Sequence, residues 1–273
     1  MSNLFVRILS AAVLLSAGFA LIILDLRTRW LAIALILIPG AWELSRLVDR
    51  KFSAPAYAPL SALAVAALLL PYFPGMVLPS HWDWMIASIT LVTFVLLGFR
   101  TLPIEFMAPW ILMNGFIIAY LGIWSAKLFA LTLPEIGWRS VGPLAYTIFC
   151  IAAADTGAYA AGRSLGKRKL APAISSGKTI EGALGGAMAA MAVSLIFGPG
   201  LAGLQTIPAL ILGAVLAGAS ILGDLFISTL KRMAGAKDTS RIIPGHGGVM
   251  DRFDSLTFVA PIAWVGIKLL GTQ

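Results

Sequence analysis

The sequence predicts an all-α polytopic membrane protein with about nine transmembrane helices. Hydrophobic residues make up 59% of the chain and charged residues only 12%, and the mean hydropathy is +0.93. Soluble domains carry about twice that share of charge. Several apolar runs are also long enough to cross a bilayer, which takes roughly 20 helical residues. The chain is therefore expected to lie in a membrane.

Nine apolar runs are candidate spans, of which the third and fourth are short. In chain order they are Leu4–Leu24, Trp30–Leu47, Leu60–Phe73, Met85–Phe99, Phe106–Leu128, Leu144–Ala161, Ile180–Phe197, Ile207–Leu230 and Phe253–Leu270. Residues 1–141 are predicted to be N-terminal transmembrane helices, and residues 142–273 the catalytic region of the same integral membrane domain. In the second part, Gly182, Gly186 and Ala190 recur every fourth position, which favours close packing against another helix.

The distribution of lysine and arginine predicts the orientation, because positively charged loops stay in the cytoplasm. With nine spans and a cytoplasmic N-terminus, 15 of the 20 cations lie on the cytoplasmic side and Gln273 lies outside. The cytoplasmic cations are Arg7, Arg46, Arg50, Lys51, Arg100, Arg163, Lys167, Arg168, Lys169, Lys178, Lys231, Arg232, Lys237, Arg241 and Arg252. The net charge of +8 therefore suits phospholipids and phosphorylated substrates better than nucleic acid.

Two polar clusters flank the loop after the sixth predicted span. Asp155 is an ionisable residue in an apolar context, a functional candidate whose alternative is a buried packing acid paired with an arginine. The Gly177-Lys178-Thr179 run is not a P-loop, since Pro172 stands where that motif needs glycine. Ser176 and Thr179 are predicted to cap the next helix, with Lys178 at its N-terminus and Glu181 in its first turn. Such a helix start favours an anion site, and plain capping is the alternative.

The richest polar cluster joins the last two predicted spans. Asp224, Ser228 and Lys231 fall at i, i+4 and i+7, so they share one helix face. Asp251 and Asp254 lie at the start of the final span. Carboxylates from two helix ends could together hold Mg²⁺, which takes one or two carboxylates plus phosphate oxygens. A salt-bridged structural network is the alternative.

The segment from Ser228 to Asp254 resembles the signature of the CDP-diacylglycerol synthase (phosphatidate cytidylyltransferase) family. The matching residues are Ser228, Leu230, Lys231, Arg232, Lys237, Asp238, Ser240, Ile243, Pro244, His246, Gly247, Gly248, Val249, Asp251, Arg252, Phe253 and Asp254. Shorter stretches beginning at Asp155, Gly166 and Gly223, and one around Lys178, are also similar, so the resemblance covers roughly residues 150–265. The chain departs from the family at Ile227, where an acidic residue is common.

The resemblance implies that CTP and phosphatidate react to give CDP-diacylglycerol and pyrophosphate, with Mg²⁺ and room for a second cation. It implies a site at the cytoplasmic ends of the C-terminal helices, in a bacterial cytoplasmic membrane. The predicted catalytic residues are Asp224, Asp251, Lys231, Lys237 and His246, with Asp224 and Asp251 as metal ligands. The predicted substrate-binding residues are Asp155, Ser176, Lys178, Thr179, Glu181, Ser228, Arg232, Asp238, Arg252 and Asp254.

The expected partners are CTP, phosphatidate and membrane lipids, without nucleic acid, and the resemblance allows a homodimer. A transporter is one alternative, although its charges would lie near the midplane in paired repeats. The second is a cytidylyltransferase that acts on another lipid phosphate. The third, a CDP-alcohol phosphotransferase, would need several aspartates closely spaced on one helix, and the sequence lacks them.

Overall fold

The computed structural model describes residues 25–132, 138–243 and 247–271. Its helices are α1 (Leu26–Lys51), α2 (Ala58–Leu69), α3 (Trp82–Thr101), α4 (Ile104–Ala119), α5 (Lys127–Ala130), α6 (Trp138–Leu165), α7 (Ile180–Ala202), α8 (Thr206–Met233) and α9 (Met250–Leu270). A 3₁₀ turn, Leu70–Tyr72, follows α2, and a π-helical turn, Tyr120–Trp124, follows α4. A small antiparallel hairpin separates α6 from α7; its strands are β1 (Lys169–Ala171) and β2 (Ser175–Thr179).

Seven helices among the described residues are long and apolar enough to cross a membrane. They are Leu26–Lys51, Trp82–Thr101, Ile104–Ala130, Val141–Leu165, Ile180–Ala202, Thr206–Met233 and Met250–Leu270. Large apolar side chains are exposed along them, including Leu35, Leu112 and Leu269 at 69%, 72% and 77%. A soluble protein rarely exposes so much contiguous apolar surface, whereas lipid contact requires it. The prediction of an all-α polytopic membrane protein is confirmed.

The count of nine spans stays a prediction. The expected first span, Leu4–Leu24, lies outside the described residues. The expected third span, Leu60–Phe73, is formed by α2, which has 12 residues, and the turn Leu70–Tyr72. A helix of that length reaches about 18 Å, short of a hydrocarbon core about 30 Å thick. Pro71 lies in the turn directly after α2, and proline offers no N–H to continue an α-helix.

The chain divides into two compact units. The first contains Met1–Ala126 and Leu230–Phe253, and the second contains Lys127–Thr229 and Asp254–Gln273. Most of the polar segment between α8 and α9 therefore folds with the N-terminal helices. The predicted division into residues 1–141 and 142–273 followed the chain order and stays a prediction.

In the first unit, α1 buries an apolar stripe with helical spacing. Leu37, Ala41, Leu44 and Val48 are at most 2% exposed, and α1 packs against α2 and α4. Asp49 is also buried on this helix, and its carboxylate ties neighbouring elements together. It accepts hydrogen bonds from the backbone N–H groups of residues 57 and 58 at the start of α2, and from the indole of Trp110 in α4.

In the second unit, α6 and α7 approach closely through small residues. A Cβ added at Gly182 would lie 2.8 Å from the carbonyl oxygen of Ala158, and one at Gly186 would lie 2.6 Å from that of Ala154. Both glycines and Ala190 are buried. No larger side chain fits at such distances, so the predicted packing of this face is confirmed.

Candidate active site

Lys231, near the end of α8, and Asp251, at the start of α9, lie at the two ends of the polar segment in the first unit. The Lys231 ammonium is 2.7 Å from Asp251 Oδ1, and the two side chains are only 11% and 6% exposed. The sequence predicted that both residues act in one site, Lys231 from the end of α8 and Asp251 from the start of α9. The structure joins them as a direct ion pair.

Asp251 also organises the loop between the two helices. Its Oδ2 accepts hydrogen bonds from the Thr239 backbone N–H at 2.8 Å, the Thr239 hydroxyl at 3.0 Å and the Gly248 N–H at 2.9 Å. Together with Lys231, four donors surround this carboxylate, which fills about all of its acceptor sites. Gly247 has a φ of +87°, a left-handed conformation that a side chain would strain.

Sequence reasoning missed Glu43, a carboxylate that contacts the same loop from α1. Glu43 is 0% exposed. It accepts hydrogen bonds from the hydroxyls of Thr239 and Ser240 and from the backbone N–H groups of Val249 and Met250. One signal could have found it: a glutamate within the apolar run Trp30–Leu47 is unexpected unless it has partners or a function.

Gly248 lies next to the carboxylates of Glu43 and Asp251, where there is no room for a side chain. An added Cβ would be 2.0 Å from the Thr239 hydroxyl oxygen and 2.7 Å from both Glu43 carboxylate oxygens. The histidine-glycine-glycine run of the motif therefore has a steric role here at its second glycine. The first of the three residues, His246, lies outside the described residues, so its predicted role stays a prediction.

The second unit holds another polar cluster, built from α6, β2 and α8. Lys178 Nζ lies 2.7 Å from Asp224 Oδ2, and the Ser228 hydroxyl donates to Asp224 Oδ1 at 3.1 Å. The i, i+4 pairing predicted for Asp224 and Ser228 is thus present. Asp155 interacts electrostatically with Lys178 and Asp224. Its neighbouring cation is thus a lysine rather than an arginine, and its functional role stays a prediction.

The junction of β2 and α7 holds three further predicted residues. Thr179 caps α7 as predicted, since its hydroxyl accepts the Gly182 N–H. Glu181 lies in the first turn, and its carboxylate accepts the backbone N–H groups of residues 167 and 168. Ser176 lies on β2 three residues earlier and is exposed, so the prediction that it caps α7 is wrong. The hairpin displaces it from the helix start.

The remaining predicted residues lie around the polar segment. Lys237, Asp238 and Arg252 are exposed. Arg232 is exposed as well, and its guanidinium donates to the carbonyl oxygen of residue 236 at 3.1 Å. Asp254, in the second unit, accepts the backbone N–H of the next residue. Ile227, at the position where the resemblance led us to expect an acid, is completely buried, and burial favours an apolar side chain there.

The carboxylates differ in how well they suit a divalent cation. Within the described residues, no group of three or more histidine, cysteine, aspartate or glutamate side chains is placed to bind a metal ion. A magnesium ion bound mainly by substrate phosphates needs only one or two carboxylates. Asp224 suits this, because its side chain is 36% exposed. Asp251 already accepts hydrogen bonds from Lys231 and from the backbone N–H groups of Thr239 and Gly248, and it shares the Thr239 hydroxyl with Glu43. The prediction that both residues ligate metal stays a prediction.

A model of the cytidylyltransferase family matches residues 5–270. The chain belongs to the cytidylyltransferase family. The resemblance found in the C-terminal motif is thereby confirmed, and the family match extends to the N-terminal helices, including the one that carries Glu43.

Similar proteins include two named phosphatidate cytidylyltransferase and one uncharacterized protein. A phosphatidate cytidylyltransferase of Staphylococcus haemolyticus is 33% identical over 94% of the chain and 96% of its own length. A phosphatidate cytidylyltransferase of Haemophilus influenzae is 47% identical over 43% of each chain. An uncharacterized protein of Escherichia coli, YnbB, is 44% identical over 42% of this chain and 38% of its own. The match thus spans less than half the length of the last two relatives and nearly all of the first.

Proposed function

We propose that this protein is a phosphatidate cytidylyltransferase, which converts CTP and phosphatidate to CDP-diacylglycerol and pyrophosphate. The observation that carries the proposal is the Lys231–Asp251 ion pair, because it lies within the family motif and holds an oriented ammonium group at the end of an apolar helix. The names of the relatives from Staphylococcus haemolyticus and Haemophilus influenzae support the same reaction.

The reaction needs no nucleophile from the protein. A phosphate oxygen of phosphatidate attacks the α-phosphorus of CTP, a new phosphoanhydride bond forms, and the bond between the α- and β-phosphates breaks to release pyrophosphate. The obstacles are the mutual repulsion of two polyanions and the charge on the leaving group. Positioned cations lower both.

Lysine and arginine side chains supply that positive charge. Lys178 and Lys231 are each oriented by one carboxylate, and an ammonium group keeps two further N–H donors for a phosphate. Lys237, Arg232 and Arg252 are exposed, as a water-borne nucleotide requires. The four predicted substrate-binding carboxylates, Asp155, Asp238, Asp254 and Glu181, would hold these cations and the neighbouring backbone in position.

Magnesium is part of the proposal. Asp224 is the better-placed ligand by exposure, with Asp251 as the second carboxylate, and a bound magnesium ion would neutralise phosphate charge. A second cation is proposed on the same grounds. Purified protein treated with a chelator should lose turnover and regain it when magnesium is added back, whereas turnover unchanged by chelation would remove the metal from the proposal.

The proposed location is a bacterial cytoplasmic membrane with the site facing the cytoplasm. CTP is a cytoplasmic metabolite, and 15 of the 20 cations fall on the side predicted to be cytoplasmic. Phosphatidate would reach the site sideways from the inner leaflet. A homodimer is also proposed, and the mass of the detergent-solubilised protein tests it.

Transfer of label from CTP to lipid tests the reaction directly. Purified protein is incubated with magnesium, phosphatidate and CTP labelled either at the α- or at the γ-phosphate. The α-label should enter the lipid fraction and the γ-label should appear in pyrophosphate. Diacylglycerol, which lacks the attacking phosphate, is the control acceptor and should give no labelled lipid. Folded protein that labels no phosphatidate would overturn the proposal; label in a different lipid phosphate would keep the reaction class and change the substrate.

A further inference from the structure

We propose that Glu43 is a positioning residue for the reaction, anchoring the loop that carries Lys237 and holding Asp251 in place. The proposal rests on the proposed function for its kinetic readout. Glu43 lies on α1, far in sequence from the motif, and nothing in the motif pattern indicates it.

Glu43 holds both ends of the loop at once. At the first end, its carboxylate accepts the Thr239 hydroxyl at 3.0 Å and the Ser240 hydroxyl at 2.6 Å. At the second end, it accepts the backbone N–H groups of Val249 and Met250, both at 2.9 Å. These two N–H groups lie at the start of α9. The first N–H groups of a helix have no partner within the helix, and this end of the helix favours a negative charge.

Among the described residues, the hydrogen-bond donors to this carboxylate are two hydroxyls and two backbone N–H groups. A fully buried carboxylate must be satisfied by hydrogen bonds, because an unsatisfied one would be strongly unfavourable. The relation is reciprocal, since the loop satisfies Glu43 and Glu43 fixes the loop. Replacing the carboxylate therefore weakens several restraints on one segment.

Thr239 links Glu43 to Asp251. Its hydroxyl oxygen lies 3.0 Å from Glu43 Oε2 and 3.0 Å from Asp251 Oδ2. A hydroxyl has one proton, so it donates to one carboxylate at a time. The positions of the two acids are therefore coupled through one side chain, and Asp251 in turn orients Lys231. Gly248 makes this arrangement possible because it has no Cβ.

The test compares Glu43→Gln with Asp49→Asn, a matched control on the same helix. Asp49 is also buried and its carboxylate accepts three hydrogen bonds, but the donors lie in and before α2 and in α4 rather than in the loop. Glu43→Gln should lower kcat by roughly 10- to 100-fold with a smaller change in KM for CTP, since hydrogen bonds to a charged group are lost. Asp49→Asn should lower the melting temperature while kcat per folded protein stays within about twofold.

A second pair guards against a Glu43 variant that does not fold. Thr239→Ser keeps the hydroxyl and should retain most of the turnover, whereas Thr239→Val removes it and should lower kcat. A purely structural role for Thr239 would predict the reverse order, because valine matches the buried shape of threonine. Equal kcat values for the serine and valine variants would overturn the proposal.

Hydrogen exchange separates this proposal from the proposed function, because it needs no turnover. In detergent-solubilised protein, Glu43→Gln should accelerate exchange at the amides of residues 249 and 250, and Asp49→Asn should not. Unchanged exchange in Glu43→Gln overturns the anchor, and faster exchange with unchanged kcat overturns its part in the reaction. If the wild-type protein makes no CDP-lipid, the proposed function fails, and the exchange data still decide the anchor.

Discussion

Lys231 and Asp251 form an ion pair that is almost wholly removed from solvent, with 2.7 Å between Nζ and Oδ1. The pair differs from that of Lys178 and Asp224, which has the same length but side chains 24% and 36% exposed. Burial determines how much the folded protein is destabilised when one partner of the pair is removed. An uncompensated buried charge destabilises a protein by about 3–5 kcal/mol, whereas an exposed pair contributes about 0–1 kcal/mol.

Asp251→Asn should therefore impair both turnover and stability. The substitution removes the charge that pairs with Lys231 and weakens the hydrogen bonds from Thr239 and Gly248. We expect turnover to fall by at least about 100-fold, as when one charge-stabilising group is removed from an active site, and the melting temperature to fall as well. Lipid labelling and thermal unfolding in detergent measure the two effects. Wild-type turnover at limiting magnesium would exclude Asp251 from the site.

Asp224→Asn should impair turnover alone. The Asp224 side chain is partly exposed, so its pair with Lys178 adds little to stability. We expect at least about a 100-fold loss of turnover with a melting temperature close to that of the wild type, and a raised magnesium requirement if the carboxylate is a ligand. A lowered melting temperature with normal turnover per folded molecule would make Asp224 a structural residue.

Lys237→Ala should raise the CTP requirement or slow turnover, and Lys169→Ala should do neither. Both lysines are exposed, so they differ in position rather than in burial. Lys237 lies in the motif loop, the polar segment between α8 and α9. Lys169 lies on β1, with its backbone paired to Thr179. Loss of one charge-assisted phosphate contact should cost roughly 10- to 150-fold in rate or affinity. Lys237→Arg should rescue poorly, because a planar guanidinium replaces a compact ammonium. A silent Lys237→Ala together with an impaired Lys169→Ala would reverse the two assignments.

Gly248→Ala should destabilise the loop. The new Cβ would overlap the Thr239 hydroxyl and approach both oxygens of Glu43, and overpacking of this kind costs about 1–3 kcal/mol. Gly218→Ala is the control, because Gly218 is exposed on α8 with nothing within 4 Å of an added Cβ. Thermal unfolding should show a lower melting temperature for Gly248→Ala and an unchanged or higher one for Gly218→Ala. Equal melting temperatures would mean that the loop has room near Gly248.

Cysteine labelling of intact cells should place the polar loops in the cytoplasm. A membrane-impermeant reagent should label Val77→Cys, at a residue 93% exposed between α2 and α3, because the nine-span prediction, in which α2 and its following turn cross the membrane, puts that loop outside. Ala173→Cys in the hairpin and Ile242→Cys in the motif loop are also exposed, and they should be labelled only after the cells are opened. The native Cys150 is buried and should give no background. External labelling of Ala173→Cys and Ile242→Cys would exclude a site that uses cytosolic CTP.

Elements with a strong local signal were predicted well. The helices α1, α6, α7, α8 and α9 begin and end within a few residues of the predicted runs, apart from longer ends in α1, α6 and α7. The cap at Thr179 and the small-residue face of α7 are present. The hairpin of β1 and β2 was not predicted, because the apolar residues in this segment follow neither a helical nor an alternating pattern. The two short strands form by pairing with each other.

The sequence by itself determined the membrane class, the family and most of the polar residues of the candidate site. These depend on local properties, namely the length of apolar runs and the spacing of charged residues along the chain. Tertiary structure alone decided which donors meet which carboxylates. Thr239 and Glu43 are 196 residues apart in the chain, and no periodicity links them. Their contact exists because α1 buries its apolar stripe and thereby places one acid under the loop, where unpaired backbone N–H groups and hydroxyls require an acceptor.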